Sequence, residues 1–548
     1  MEYPEFTEEH QQLDSKQKMV KGSIWMTVGS FVSRFMGAIY IIPWYMWMGE
    51  NAKVANTLFN KGYNIYALFL MISTAGIPGA IAKQISHYNS LNEYKVSKKI
   101  FQKTMFVMVG LGVIFSSVMF FSAPILADGN RELIPVMRAL SAAILVFPSM
   151  SVVRGFFQGY HDMMPSAISQ MVEQFVRVLY MLIATYLIMK VGQGDYVSAV
   201  THSTFAAFIG TLGAFATLFW FYQKYGERMA YLEENSRDEI QVSTFGMLKE
   251  IVVEAIPFII IGSAITIVKI FDQYTFERTM STFTNYSSRQ LAELFSLFSA
   301  NPDKLTMITI SIATSISVTG LPLVTEAFTI QDHKGLSKLV GDNIQLFFFV
   351  MLPATFGMII VAEPLNTLFY SYDSLGTALL VEACYTGIIL GLYMLFASTL
   401  QGLYGNKEAI FYLVIGFAVK VLLQYPFIKH FEVFGPLLTT SIAFLVATLL
   451  TANKVHQITG FKINLIARRV LLMAIFTSIM CGIAVLVRKV SYLVLSPTSK
   501  GQSFLIVVLV GGIGAYVYTY LVLKVKLADQ LLGSRVSKLR DKLHIRSI

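Results

Sequence analysis

Six basic residues fall where the chain should be surrounded by hydrocarbon. Arg34 lies near the middle of the apolar run 22–48, Arg177 about halfway along 167–190, and Lys420 within 408–428. Lys269 lies toward the far part of 250–275, while Lys61 and Lys304 stand at the starts of 58–82 and 305–330. Three acids accompany them: Glu173 one turn before Arg177, Asp272 three residues after Lys269, and Glu254 at the beginning of 250–275. An arginine at mid-bilayer costs roughly 2.5–3.5 kcal/mol on insertion scales, so a chain that keeps one gives it something other than lipid to face. Cations outnumber acids at these depths, which favours an anionic cargo. Phosphates and carboxylates need charge-assisted donors, and a guanidinium offers two oxygens a fork. A cation exporter would need buried carboxylates instead.

Each charge also has a purely structural reading. Arg34 could pair with a buried acid or snorkel. Glu173 and Arg177, spaced i, i+4, could neutralise one another. Lys61, Lys269 and Lys304 could reach the outer headgroups along their aliphatic stems. Beside Arg34, Gly29, Ser33 and Gly37 form a small-xxx-small stripe that lets a neighbouring helix come close, and Pro43 invites a kink.

The element that positions these residues is a bundle of membrane spans. The mean hydropathy is +0.59, with 55% hydrophobic and 14% charged residues, against about 25% charged in a soluble domain. Windows of about 19 residues predict fourteen spans, near 22–48, 58–82, 101–123, 133–157, 167–190, 196–222, 250–275, 305–330, 343–362, 376–400, 408–428, 434–453, 467–487 and 503–525. The fold class expected is therefore all-α integral membrane protein. Cys384 and Cys481 both sit in apolar runs, so no disulfide framework is implied. No GxxxxGK[ST], HExxH, CxxC or GxSxG motif occurs, which argues against ATP hydrolysis through a phosphate loop and against the corresponding metal, thiol and serine chemistries. The net charge of +10 belongs to loops and cavity, and the membrane setting makes nucleic acid a poor explanation.

Lysine and arginine cluster at 16–21, 95–103, 454–469 and in the tail from Lys524 to Arg546, all on one side of a fourteen-span chain. The positive-inside rule then puts both termini in the cytoplasm. The polar stretch 1–21 lacks the features of a signal peptide and reads as a cytoplasmic tail. Residues 223–249 read as a cytoplasmic linker, and 526–548 as a basic tail whose Leu532, Val536, Leu539 and Leu543 make a stripe suited to an anionic leaflet or a solvated helix. On the other side, Leu291, Leu294, Phe295 and Phe298 share one helical face and predict an interfacial helix.

The chain repeats itself. Gln158-Gly159 aligns with Gln401-Gly402 at an offset of 243 residues, and the same offset aligns Arg177 with Lys420. Gly76 and Pro78 align with Gly320 and Pro322 at an offset of 244, as matched bends or as ordinary packing positions. Six spans separate the copies, an even number, so an axis along the membrane normal should relate two six-helix lobes at 22–222 and 250–453, with two extra helices at 454–525. Alternating access by rocking the lobes follows from that plan.

With SRFMG at 33–37 and GIPGAIAK at 76–83, this arrangement resembles the polysaccharide-exporter branch of the MOP flippase superfamily, in particular its SpoVB/YtgP group. The resemblance covers nearly the whole chain. It implies transport of a lipid-linked cell-wall precursor from the inner to the outer leaflet of a bacterial plasma membrane. The headgroup would pass through a basic cavity and the polyprenyl tail would stay near the two extra helices. Arg34 matches the family arginine that follows serine in the first span. Lys304 substitutes for a neighbouring arginine near the start of the eighth. Others in the first two spans have no counterpart, with Tyr40 and Ala67-Leu68-Phe69 about there, so the basic set is redistributed toward Arg177, Lys269 and Lys420. Some members bind sodium in the second lobe with acids of the seventh and eleventh spans, where Lys420 could replace the ion.

The function expected is flipping of undecaprenyl-diphosphate-linked peptidoglycan precursor (lipid II) without a cofactor, driven by a sodium or proton gradient or by membrane potential. The expected partners are the anionic lipid-linked glycan, membrane lipids and cell-wall synthesis enzymes, with the chain acting as a monomer. The alternatives are a flippase for a capsule or teichoic-acid unit, a multidrug/cation antiporter of the same superfamily, and a membrane enzyme. The last would want a large extramembrane domain or a carboxylate cluster, and the loops are too short for one.

Overall fold

The computed structural model describes residues 25, 29, 32, 33, 35–37, 39–74, 77–192, 194–237, 256–525 and 527, except the side chains of 312–314, 317–319 and 322. Among them every regular element is helical. Ten helical stretches are long and apolar enough to cross a membrane, or eleven if a bent pair is one span. Two of the ten, Phe35–Ser90 and Asn406–Thr459, each contain more than one helix. The protein is thus a multi-pass, all-α membrane protein.

Two compact units divide the chain, Met1–Ile270 and Phe271–Ile548. In the first, α1 (Ile41–Met48) turns through Gly49–Asn51 into α2 (Ala52–Thr74). There follow α3 (Ile77–Ser90), α4 (Tyr94–Leu126), α5 (Leu133–Gly159), α6 (Met164–Tyr186), α7 (Tyr196–Lys224) and the short α8 (Gly226–Glu234). The 58–82 run is helical in both of its described parts, 58–74 and 77–82, and Pro78 lies in α3. α6 carries Pro165 in its first turn and ends in a π turn at Leu187–Val191. α7 starts where the Asp195 side chain accepts from the Val197 and Ser198 N–H groups, satisfying two donors the helix cannot. α5 is the buried centre of this unit, with Met150, Val152, Phe156 and Phe157 packed against α3 and α7.

The α6–α7 pair shows how close the backbones come. A Cβ on Gly210 of α7 would lie 2.7 Å from the Glu173 carbonyl and 2.9 Å from the Arg177 Cβ on α6. Only glycine fits, and dispersion replaces the hydrophobic drive that lipid cannot supply.

The second unit begins within α9 (Ala264–Met280), which meets the segment Ile256–Gly262 at a 51° bend. It continues through α10 (Ser288–Phe295), α11 (Asn301–Thr329), α12 (His333–Ile360), α13 (Ala362–Phe369), α14 (Ser374–Gly402), α15 (Asn406–Phe431), α16 (Gly435–Thr459), α17 (Ile463–Ser491) and α18 (Lys500–Lys524). Gln158-Gly159 closes α5 and Gln401-Gly402 closes α14, so the repeated motif ends a helix in each unit. The Gly320-Pro322 counterpart lies inside α11.

One expected segment is corrected. The Leu291, Phe295 and Phe298 face of the 288–300 segment is not interfacial; it is buried against Phe276, Met280 and Leu379. α10 is fixed there by a capping box between Ser287 and Gln290. The 223–249 stretch contains α8 in its described part. Its α8 is tied back by a Glu233–Lys98 ion pair at 2.5 Å, and the Arg237 N–H donates to the Asn92 carbonyl at 3.1 Å. The remainder, 238–249, and the tail stripe from Leu532 to Leu543 lie outside the described residues.

Candidate functional site

In the first unit, Arg177 on α6 reaches across to α2. Its Nη1 donates to the Tyr63 hydroxyl at 3.4 Å, and the guanidinium stands 5.3 Å from the centre of the same ring. Tyr63 stacks on Phe59 at 5.8 Å and abuts Tyr66 at 5.3 Å, which hold its ring in place. The arginine is half-buried, so an aromatic face stabilises its charge while donors remain for a ligand.

Glu173 is not Arg177's partner. Its Oε2 accepts from Arg154 Nη2 of α5 at 2.8 Å, while Arg154 Nε donates to Ser169 Oγ at 3.1 Å. The i, i+4 neutralisation is thereby replaced by a pair between helices, because Arg154 already satisfies the carboxylate. α2 also buries Asn56, Asn60, Asn64 and Lys61, with Asn64 donating to Asn60 at 3.2 Å. Lys61, 6% exposed, does not snorkel.

The second unit holds a denser cluster. Lys420 of α15 is fully buried, and its Nζ lies 2.7 Å from Asp272 Oδ1 of α9. It also donates to the Pro436 carbonyl at 3.1 Å, Thr439 Oγ1 at 3.2 Å and Thr440 Oγ1 at 2.7 Å, all within the first two turns of α16. Gln424, one turn on, donates to Asp272 at 2.7 Å and to Thr275 at 3.1 Å, and accepts from Thr439 at 2.8 Å. Gly416, one turn before Lys420, makes this possible, since a Cβ there would stand 2.7 Å from the Ala443 carbonyl of α16.

The structure therefore brings Asp272 and Lys420 together and keeps Glu173 from Arg177. Lys269 is half-buried on α9, and Lys304 is half-buried in the first turn of α11. Pro43 lies in α1. Arg34, Gly76 and Glu254 lie outside the described residues. Sequence reasoning missed Arg154, which sits close enough to the end of the 133–157 run to pass as interfacial. It also missed Glu382, a half-buried carboxylate about 12 Å into α14 by helical rise. A plain search for charges inside apolar windows would have found Glu382. Among the described residues no three His, Cys, Asp or Glu side chains converge as a metal site.

An apolar groove of about 470 Å³ opens on the second unit. Phe349, Pro353 and Gly357 of α12 line one side, and Met480 of α17 with Gly511 and Tyr518 of α18 line the other.

Many apolar helices, charges held inside helix pairs and an apolar groove define a polytopic membrane transporter. The chain belongs to the polysaccharide biosynthesis protein family, whose profile matches residues 19–328, within the MOP superfamily of transporters. It is 32% identical over 536 residues to the lipid II flippase MurJ of Bacillus subtilis (strain 168), covering 95% of this chain and 97% of that one. It is 26% identical over 182 residues to stage V sporulation protein B of the same organism, covering 32% and 34%. Among solved structures, an inward closed conformation of MurJ matches with a TM-score of 0.58 at 14% identity, covering 90% of this chain and 98% of that one. An outward-facing MATE multidrug transporter matches with a TM-score of 0.59 at 15% identity, covering 83% and 100%. The structural matches share the fold and do not separate flippase from drug transporter.

Proposed function

We propose that this chain is a flippase that moves an undecaprenyl-diphosphate-linked peptidoglycan precursor, lipid II, from the inner to the outer leaflet of a bacterial plasma membrane by alternating access. The observation that carries the reading is the 32% identity to a lipid II flippase over nearly the full length of both chains. In this reading the chain has fourteen spans, with two six-helix lobes at 22–222 and 250–453 and cytoplasmic termini. Arg34, Arg177, Lys61, Lys269 and Lys304 supply donors for the diphosphate and sugar headgroup. Half-buried Arg177, braced by Tyr63, suits that role because its fork is preorganised. The apolar groove beside α17 and α18 supports a place for the polyprenyl tail, since its lining is aliphatic and aromatic and a fluid chain needs no polar partner there.

The test is the sidedness of lipid II in cells depleted of the protein, read with a probe confined to the outer leaflet. Lipid II should become inaccessible while its total pool rises. Unchanged accessibility, also in a strain lacking other flippases, would sink the assignment and favour a capsule or teichoic-acid precursor. A second reading, multidrug antiport, draws on the MATE match and on the membrane-embedded carboxylate of Glu382. It requires drug sensitivity on deletion with lipid II handling unchanged.

A further inference from the structure

The cluster around Lys420 has the make-up of a cation site. Hard cations take oxygen ligands, with one carboxylate and several neutral oxygens as a common set. Here the set is Asp272 Oδ1, the Pro436 carbonyl and the hydroxyls of Thr439 and Thr440, at 2.7–3.2 Å from one central atom. That central atom is the lysine's own Nζ. An ordinary salt bridge needs only the carboxylate. This ammonium is also given a backbone carbonyl and two hydroxyls from the first two turns of α16, and no solvent reaches it.

The sodium ion that the family resemblance implies for some members does not fit these residues. A single carboxylate faces a single ammonium, so the buried cluster is neutral as it stands. A sodium ion among the same oxygens would put two positive charges against one negative in a medium that screens poorly. Gln424 adds no charge, and its amide nitrogen donates to Asp272, using acceptor capacity that an ion would need.

We infer that Lys420 is a covalently tethered cation filling an oxygen-lined cation site, so that the second unit carries its positive charge permanently and works without exchangeable sodium. Lys420 then ties α9, α15 and α16 together in the way a bound ion would, and no ion gradient can load or unload it. The inference stands whether the cargo is lipid II or another glycan. It also removes Lys420 from the residues that touch cargo.

The experiment uses the purified full-length protein and compares unfolding midpoints in sodium, potassium and choline chloride at equal ionic strength. The wild type should give one midpoint in all three. Lys420→Ala should unfold earlier, and sodium chloride should selectively and saturably raise its midpoint. Adding Asp272→Asn to that variant should abolish the response. A saturable, sodium-specific rise in the wild type that Asp272→Asn removes would overturn the inference. So would a folded Lys420→Ala protein that responds alike to the three salts. Should Lys420→Ala not fold, Lys420→Asn is read by the same criteria. If neither folds, the wild type decides, because binding of radioactive sodium competed by no other cation overturns the inference and its absence up to physiological concentration upholds it.

Discussion

Removing the Arg154 guanidinium tests which charge holds Glu173. Spacing offered Arg177 as one possible partner, whereas Arg154 Nη2 lies 2.8 Å from Glu173 Oε2, with side chains 15% and 16% exposed. Two unit charges about 4 Å apart attract by about 4 kcal/mol at an effective dielectric near 20. Desolvation of both groups takes back much of that, leaving a net coupling of about 1–3 kcal/mol. The single variant Arg154→Met costs more than the coupling, because it strands a carboxylate between helices, and about 2–4 kcal/mol is expected after allowing for partial exposure. The assay is a double-mutant cycle of Arg154→Met and Glu173→Gln, followed by unfolding in detergent–lipid micelles. A parallel cycle pairs Glu173→Gln with Arg177→Met and should show coupling below about 0.5 kcal/mol. A larger coupling in the Arg177 cycle than in the Arg154 cycle would refute the pairing and restore the i, i+4 reading.

Arg34→Ala should abolish growth support in a depletion strain while the protein still inserts and expresses; full complementation would remove Arg34 from the proposed site. Tyr63→Phe keeps the ring and loses the hydroxyl that accepts from Arg177, so flipping should fall several-fold less than in Tyr63→Ala, which loses both contacts; equal losses in vesicle flipping assays would mean that the ring is not the brace. Gly511 lines the apolar groove and a Cβ there meets open space, so Gly511→Phe should fold within about 1 kcal/mol of the wild type while blocking transport; normal flipping by that variant would show that the groove is not on the lipid's path.

Helices were legible because a bilayer demands about 20 apolar residues in a row, and the runs at 133–157, 196–222 and 503–525 met helices with nearly the same ends. Breaks within runs were not legible. The 250–275 run bends by 51° between Gly262 and Ala264, because neighbouring packing chooses where a span is interrupted. The apolar face at Leu291 and Phe295 was read as interfacial. A stripe cannot say whether lipid or protein buries it, and here it is protein. Pairing suffered for a related reason. Sequence spacing reveals only partners on the same helix, whereas Arg154 is 19 residues from Glu173 and Gln424 is 152 from Asp272. Candidate residues could thus be named from depth and charge, but not matched with one another.

Arg177 and Lys420 align at the same 243-residue offset as Gln158-Gly159 and Gln401-Gly402, and their surroundings differ. α6 and α15 start at equivalent places, and each carries its cation a little past halfway along the helix. What differs is the facing helix. α2 offers Arg177 a row of tyrosines, which hold a guanidinium by its face without neutralising it. α9 offers Lys420 a carboxylate, and the first two turns of α16 add neutral oxygens that solvate the ammonium. A charge left half-exposed and unneutralised can still attract an anion, whereas one that is buried and balanced can only hold helices together. The acid at Asp272 is thus what separates the two aligned cations: Lys420 is balanced by it, and Arg177 meets tyrosines instead.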